Sequence, residues 1–454
     1  MGVKLMESDA LKLKLSEAGI VGCGGAGFPS YAKLNEAVNV FILNACECEP
    51  LINVDKELLI KYTNEILKAF DFISGMFSSI GYVAVKRSYR NTIGAIESEI
   101  AEFSHLEIKI LEDVYPAGDE ISLCYDVCGR VINQGQIPIS KGIIVYNVET
   151  MLNFYNCIFD EQNVCDKYLT VAGEIKRPSL LKVPVGTSFK DIIDYCGGST
   201  IDNYEIISGG VMTGKLSNLY DTVTKTTKAV LLLNEESGVV QKRKGTISRD
   251  LSRAMSVCSQ CQMCSDLCPR NLLGHAIQPH MFMRAVSNSI TSDIKPLLAS
   301  IYCCECGVCE MYACHQGLSP RRLIAFYKSS LRDKGVTKAD LPINSVDRMR
   351  EDRKIPENRL SARLDLHKYE TKDYDKGVFS PKIVKLLMSQ NIGAKNIPIV
   401  TEGTHIEKGD VVAKPPENKL GVFLHASMSG VVIKVCDDYI KIKSEDYAGG
   451  DING

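Results

Sequence analysis

The sequence predicts a multidomain α/β protein, and three observations carry that prediction. Short apolar strands alternate with helix-length periodic segments through residues 1–160, the pattern of a parallel sheet flanked by helices. Eight cysteines fall in two tight runs between positions 258 and 314. Residues 376–446 alternate apolar and polar positions between turn signals, as a small all-β domain does. Length agrees, since 454 residues at roughly 100–200 per domain suggest two to four domains.

Taken in order, residues 7–20 read as a helix, followed by the glycine-rich stretch Val21-Gly22-Cys23-Gly24-Gly25-Ala26-Gly27-Phe28-Pro29. Val38 to Leu43 is a strand, 54–75 a helix, Ile80 to Val85 a strand, 91–103 a helix and Glu107 to Leu111 a strand. Residues 165–235 form a small α+β module with a helix at 188–196 ended by Gly197-Gly198. Residues 236–255 read as a basic linker carrying Lys242, Arg243, Lys244, Arg249 and Arg253, a solvated face. The cysteine module spans 256–335, with a helix from His280 to Ser289. A charged connecting segment covers 336–375, and the tail from Ala448 is expected to fray.

The first cysteine run is Cys258-x2-Cys261-x2-Cys264-x3-Cys268-Pro269, the second Cys303-x2-Cys306-x2-Cys309-x4-Cys314. A cubane cluster needs four thiolates around one small volume. Two-residue gaps turn three sulfurs inward, and the fourth comes from the other run in two-cluster ferredoxins. The first run has that spacing, proline included. The second departs from it, with a longer last gap and His315 where proline would stand. The reading is two [4Fe–4S] clusters, one on Cys258, Cys261, Cys264 and Cys314, the other on Cys268, Cys303, Cys306 and Cys309. Zinc and disulfides are the alternatives. Zinc sites usually pair cysteines across a longer gap, and disulfides need an oxidising compartment. Cys304 is expected to point away from the ligand group. His275, His280 and His315 read as packing or supporting residues.

Eighteen cysteines without a paired framework point to a reducing, cytoplasmic setting. A net charge of −2, no Trp and few aromatics argue against nucleic-acid binding. No secretory leader is read, Met1-Gly2-Val3-Lys4-Leu5-Met6 lacks a myristoylation signal, and no apolar run nears the ~18 residues that span a bilayer. The chain is expected to be soluble, without direct membrane insertion.

A glycine-rich loop lets backbone N–H groups approach a phosphate, though such loops are often only tight turns. This loop follows a helix rather than a strand, which disfavours a dinucleotide Rossmann site. Its sequence from Gly24 to Pro29, followed by Lys33, resembles the flavin loop of the NADH-binding flavoprotein subunit of respiratory complex I. Asn44-Ala45-Cys46-Glu47-Cys48-Glu49-Pro50 resembles that family's Asn-Ala-Asp-Glu-Ser-Glu-Pro segment, with Cys46 and Cys48 replacing Asp and Ser. Asn147-Val148-Glu149-Thr150 matches a third motif. Over nearly its whole length the chain resembles the RnfC component of the Rnf electron-transport complex and its soluble relatives. That soluble branch includes the cobalamin reductases of propanediol utilisation and the electron-transfer proteins associated with proline reductase. Tyr115-Pro116-Ala117-Gly118-Asp119-Glu120 looks like the family's Tyr-Pro-x-Gly-x-Glu segment.

The resemblance implies an N-terminal α/β flavin-binding domain, a β-grasp (SLBB) module, a two-cluster ferredoxin-like helical module and a C-terminal barrel-sandwich hybrid domain. It places Gly24, Gly25 and Gly27 against FMN, with Lys33 supplying positive charge and Asn44 and Asn147 hydrogen-bonding the cofactor. Glu47 and Glu49 would lie near flavin and nicotinamide. Taken without the motifs, Lys33 reads as a solvated helix lysine and Glu47 as a cap of the following helix. Ala426-Ser427-Met428-Ser429-Gly430 has no lysine at its tip, so the last domain reads as a structural or docking module rather than a swinging arm. The function implied is oxidation of NADH through FMN, with single electrons passing through two [4Fe–4S] clusters to a partner reductase or cobalamin. The work would be done in the cytosol or in a shell compartment. A flavin-free iron–sulfur relay is the alternative, and a ligand-binding module centred on 165–235 ranks last.

Overall fold

A computed structural model of the chain describes residues 7–34, 36–290, 292–339, 343–371 and 374–445. The readings made at Met1–Met6 and in the tail from Ala448 lie outside those residues.

The N-terminal sheet is fully parallel, in the order Leu106–Leu111, Ile80–Lys86, Val40–Ala45, Ile143–Asn147. The last strand is not among the predicted elements. It pairs on the opposite side of Val40–Ala45 from the other two, so the chain reverses direction across the sheet there. Ligands bind at the carboxyl ends of strands at such a point. Alternation sorts the side chains of Val40–Ala45. Phe41, Leu43 and Ala45 enter one core with the helices Thr63–Met76 and Val148–Phe159. Val40 and Ile42 enter the other, with Ile121, Leu123 and Cys124 of helix Glu120–Cys128. The predicted helix over 54–75 is two helices, Val54–Lys61 and Thr63–Met76. Tyr62 leaves helical geometry between them, and the Thr63 hydroxyl donates to the Leu59 carbonyl at 2.5 Å.

The second module is a six-stranded mixed sheet curled around helix Phe189–Tyr195, with its own core. Its edge strand, Asp375–Val378, arrives from beyond the cysteine module and pairs in parallel with Ser179–Pro184. The segment read as a basic linker folds into two capped helices, Gly238–Lys244 and Ile247–Val257. Its basic residues are not simply solvated. Lys242 donates to the carbonyls of Gly317 and Leu318 at 2.7 and 2.6 Å, and Arg243 to that of Val211 at 2.5 Å. Ala254 packs with Phe282, Met283 and Ile324 in the core of the cysteine module.

The connecting segment straps that module to the first domain. Ile355–Pro356 pairs with Val114–Tyr115, and Arg350 forks onto Asp126 at 2.8 and 2.9 Å. The C-terminal domain packs two small antiparallel sheets around Val384, Leu386, Val432 and Ile440. Among the described residues no helix is long and apolar enough to cross a membrane.

Candidate cofactor sites

The glycine loop and the carboxyl ends of Val40–Ala45 and Ile143–Asn147 enclose a cleft of about 1400 Å³. Gly24, Gly25, Gly27, Lys33, Asn44 and Asn147 all line it, with Gly118, Glu120 and an apolar wall of Ile137, Ile139 and Tyr146. A Cβ at Gly25 would meet nothing within 4 Å, so a side chain there would extend into free space at the cleft. Gly27 has φ +71°, and a Cβ there would come within 2.7 Å of Thr226 Cγ2. A flat, phosphate-bearing group fits this cradle of backbone, amide donors and apolar wall.

Lys33 does reach the cleft, but its ammonium is paired with Glu120 at 2.8 Å and with the Val145 carbonyl at 3.0 Å. The Glu120 carboxylate is 44% exposed, and a pair this open to water is worth at most about 1 kcal/mol, so an arriving anion exchanges for it readily. Glu120 is a cleft residue that the sequence reading leaves unassigned, although the Tyr-Pro-x-Gly-x-Glu segment contains it.

Glu47 and Glu49 do not line the cleft, which corrects the expectation that both face the cofactor. Glu47 accepts from the Asp55 backbone N–H at 3.2 Å in the first turn of helix Val54–Lys61. Burial, and then the Asp55 charge, push it up to about 8. Glu49 reaches into the β-grasp module, accepting from Met212 N at 2.8 Å, Thr213 N at 2.9 Å and the Thr213 hydroxyl at 2.5 Å. Burial raises it, and these donors oppose the rise. Cys46 turns its thiol into the core beneath the sheet, 3.4 Å from the Ala84 carbonyl, so it does not occupy the cleft.

The two cysteine runs line two cavities. Cys258, Cys261, Cys264 and Cys314 surround one of about 380 Å³. Cys268, Cys303, Cys306 and Cys309 surround another of about 320 Å³. Among the described residues no three His, Cys, Asp or Glu side chains converge on a single-ion site. Four thiolates about one zinc at about 2.3 Å would do so. The runs bend alike: Gln260 and Gln262 have φ +57° and +66°, and Glu305 and Gly307, at the same steps of the second run, have +60° and +83°. Left-handed backbone at two glutamines and a glutamate is costly without something to enclose. That curl also overturns the expectation for Cys304, which lines the inner cavity with its neighbours instead of pointing away.

Amides already face the sulfurs. Glu305 N donates to Cys303 Sγ, Leu318 N to Cys314 Sγ and Gln260 Nε2 to Cys258 Sγ, each at 3.3 Å. Arg270 and Arg321 line the inner cavity and offset negative charge there. His315 and His280 line the outer one, with His315 Nδ1 3.9 Å from Cys261 Sγ and His280 Nδ1 bonded to Ser265 Oγ at 2.7 Å. His275 lines neither and bonds the Ile132 carbonyl at 3.0 Å.

One short segment joins cleft and inner cavity. Gly118 and Glu120 border the cleft, while the Tyr115 hydroxyl donates to the Cys306 carbonyl at 2.6 Å and Asp119 pairs with Arg270 at 2.7 Å. A Cβ at Gly118 would lie 2.5 Å from the Cys46 carbonyl oxygen, which fixes glycine at that close approach.

Comparison with known proteins follows the same division. Residues 15–156 match the Nuo51 FMN-binding domain, 168–215 the SLBB domain, 257–319 the 4Fe-4S dicluster domain and 363–448 the RnfC barrel sandwich hybrid domain. The chain is 35% identical over 441 residues to cobalamin reductase PduS of Citrobacter freundii, covering 96% of this chain and 97% of that protein. It is 35% identical over 440 residues to PduS of Salmonella typhimurium, with the same coverage. It is 30% identical over 295 residues to the RnfC-type component of the Na(+)-translocating ferredoxin:NAD(+) oxidoreductase complex of Acetobacterium woodii, covering 63% of this chain and 64% of that protein. Cleft, cysteine cavities and matches together define a flavin and iron–sulfur electron-transfer protein of the oxidoreductase class. Within that class, the chain belongs to the cobalamin reductase PduS family, related to RnfC proteins.

Proposed function

We propose that the chain oxidises NADH at FMN held in the N-terminal cleft and passes single electrons through two [4Fe–4S] clusters to a corrinoid or a partner reductase. The observation that carries this reading is the shared wall at 115–120, which sets the cleft beside the inner cysteine cavity. Gly118 and Tyr115 are three residues apart, at most about 11 Å along the chain. When bound, FMN supplies the conversion of a hydride pair into single electrons and the clusters supply one-electron carriage.

The residues of this chain do the rest. Asn44, Asn147 and the glycine loop orient the flavin, and Lys33 exchanges Glu120 for its phosphate or its reduced, anionic ring. Cys268, Cys303, Cys306 and Cys309 hold the cluster nearer the cleft, between Arg270 and Arg321. Cys258, Cys261, Cys264 and Cys314 hold the second, where Cys261 is exposed and gives electrons a way out. No acid–base group is required. The working place is the cytoplasm, free or within a shell compartment, as the thiol content favours.

The test is anaerobic reduction of a corrinoid by NADH, read in the visible spectrum, in wild type and Cys261→Ala. Loss of corrinoid reduction in the variant, with NADH oxidation at FMN retained, is the expected result. Unchanged corrinoid reduction would refute the exit through the outer cluster.

A further inference from the structure

A buried charge network assembled from two modules lies directly behind the cleft. Lys228, on the β-grasp side, precedes strand Ala229–Asn234 and its side chain is 11% exposed. Its ammonium pairs with Asp55 Oδ1 and stands 3.5 Å from Glu149. Burial alone would lower its affinity for a proton. Asp55, then Glu149 and Glu47, outweigh that and keep the ammonium charged.

The same groups account for almost all the hydrogen-bonding capacity of Asn147. An asparagine amide has two acceptor positions on oxygen and two N–H donors. Asn147 Oδ1 accepts from Glu149 N at 3.0 Å and from Lys228 Nζ at 3.4 Å. Nδ2 donates to Asp55 Oδ2 at 2.7 Å. One donor remains, on a residue that lines the cleft.

We propose that Lys228 is a positioning residue of the cofactor cleft. With Asp55 it locks the Asn147 amide so that the bound group meets an N–H donor and not a carbonyl oxygen. The inference rests on the flavin reading above. The heteroatom edge of an isoalloxazine is rich in acceptors and gains negative charge on reduction, so a fixed donor favours it and its reduced form. Without Lys228 the Asn147 oxygen loses a partner and Asp55 loses its cation. The amide can then turn its oxygen towards the cleft.

The experiment is titration of FMN into the flavin-stripped full-length protein, read by fluorescence quenching, with the midpoint potential of the bound flavin measured alongside. Lys228→Met is expected to weaken FMN binding about tenfold or more and to lower the potential, with Lys228→Arg restoring most of both. Lys167→Met is the matched control. Lys167 and Glu149 form an equally buried pair, each 1% exposed, but Lys167 makes no bond to Asn147. It should leave FMN affinity within twofold of wild type. If Lys228→Met does not fold, Asp55→Leu/Lys228→Met removes both charges together and should show the same loss. FMN affinity within twofold of wild type in the Lys228 variants, or an equal loss in Lys167→Met, would overturn the proposal. Failure of wild type to bind FMN at all would instead refute the flavin reading, and this inference would fall with it.

Discussion

Asn44 and Asn147 stand opposite one another as the last register pair of two parallel strands, and each has its amide oxygen held by the protein. Asn44 Oδ1 accepts from Cys46 N at 3.1 Å, while its Nδ2 donates to the Gly118 carbonyl at 3.0 Å. The edge of the sheet therefore offers the cleft paired donors. Asn44→Ala and Asn147→Ala are each expected to weaken FMN binding about tenfold, with iron content unchanged. Flavin fluorescence titration and an iron assay on the same samples check this.

Glycine positions in the loop separate binding from folding. Gly25→Val should abolish flavin binding with little change in the thermal transition, because a Cβ there meets nothing within 4 Å. Gly27→Val should destabilise by about 2 kcal/mol, since it forces a β-branched residue to φ +71° against Thr226. Flavin content and thermal denaturation, measured together, distinguish the two effects.

The cysteine cavities predict separable losses. Cys261→Ala should remove the outer cluster, halving the iron count while leaving flavin bound, because Cys261 lines only that cavity. Low-temperature electron paramagnetic resonance of the reduced protein should then show one cluster signal in place of two interacting ones.

Glu47 makes stability depend on pH. Its carboxyl is pushed up to about 8 when folded, above its unfolded value, so the folded state holds the proton more tightly. As pH rises from the ordinary carboxylate range to about 8 the unfolded state binds fewer protons, and stability falls before levelling off. Glu47→Gln still accepts from Asp55 N–H and should flatten that slope, as chemical denaturation at a series of pH values would show.

The strap across the first domain should be energetically important. Arg350 is 6% exposed and forks onto Asp126, so Arg350→Ala leaves a poorly solvated carboxylate behind. A loss of about 3 kcal/mol is expected, read as an earlier thermal transition.

The clearest sequence signals are local ones. Ligand spacing, the glycine loop and the Asn44 and Asn147 motifs encode turns and strand ends, and each named residue of these sets lines a cavity. Long-range partners leave no such trace. Glu49 is a motif residue whose carboxylate finds its donors 163 and 164 positions away, at Met212 and Thr213. Asp55 and Lys228 are 173 positions apart. The basic run at 242–253 masks two helices, because its charges dominate the segment while Val239, Val240 and Ala254 carry its buried face. The inward place of Cys304 is hidden in the sequence because a turn with left-handed residues cancels the alternation of an extended chain.

The central claim is an ordered path from NADH through FMN to two clusters. An anaerobic NADH titration of the purified protein tests it most directly, with flavin bleaching followed in the visible spectrum and iron and acid-labile sulfide counted on the same sample. The account predicts about eight irons per chain, as two cubane clusters require, and flavin bleached by NADH. The same iron with no flavin, or with a flavin that NADH leaves oxidised, would contradict it and leave a cluster relay fed by another protein.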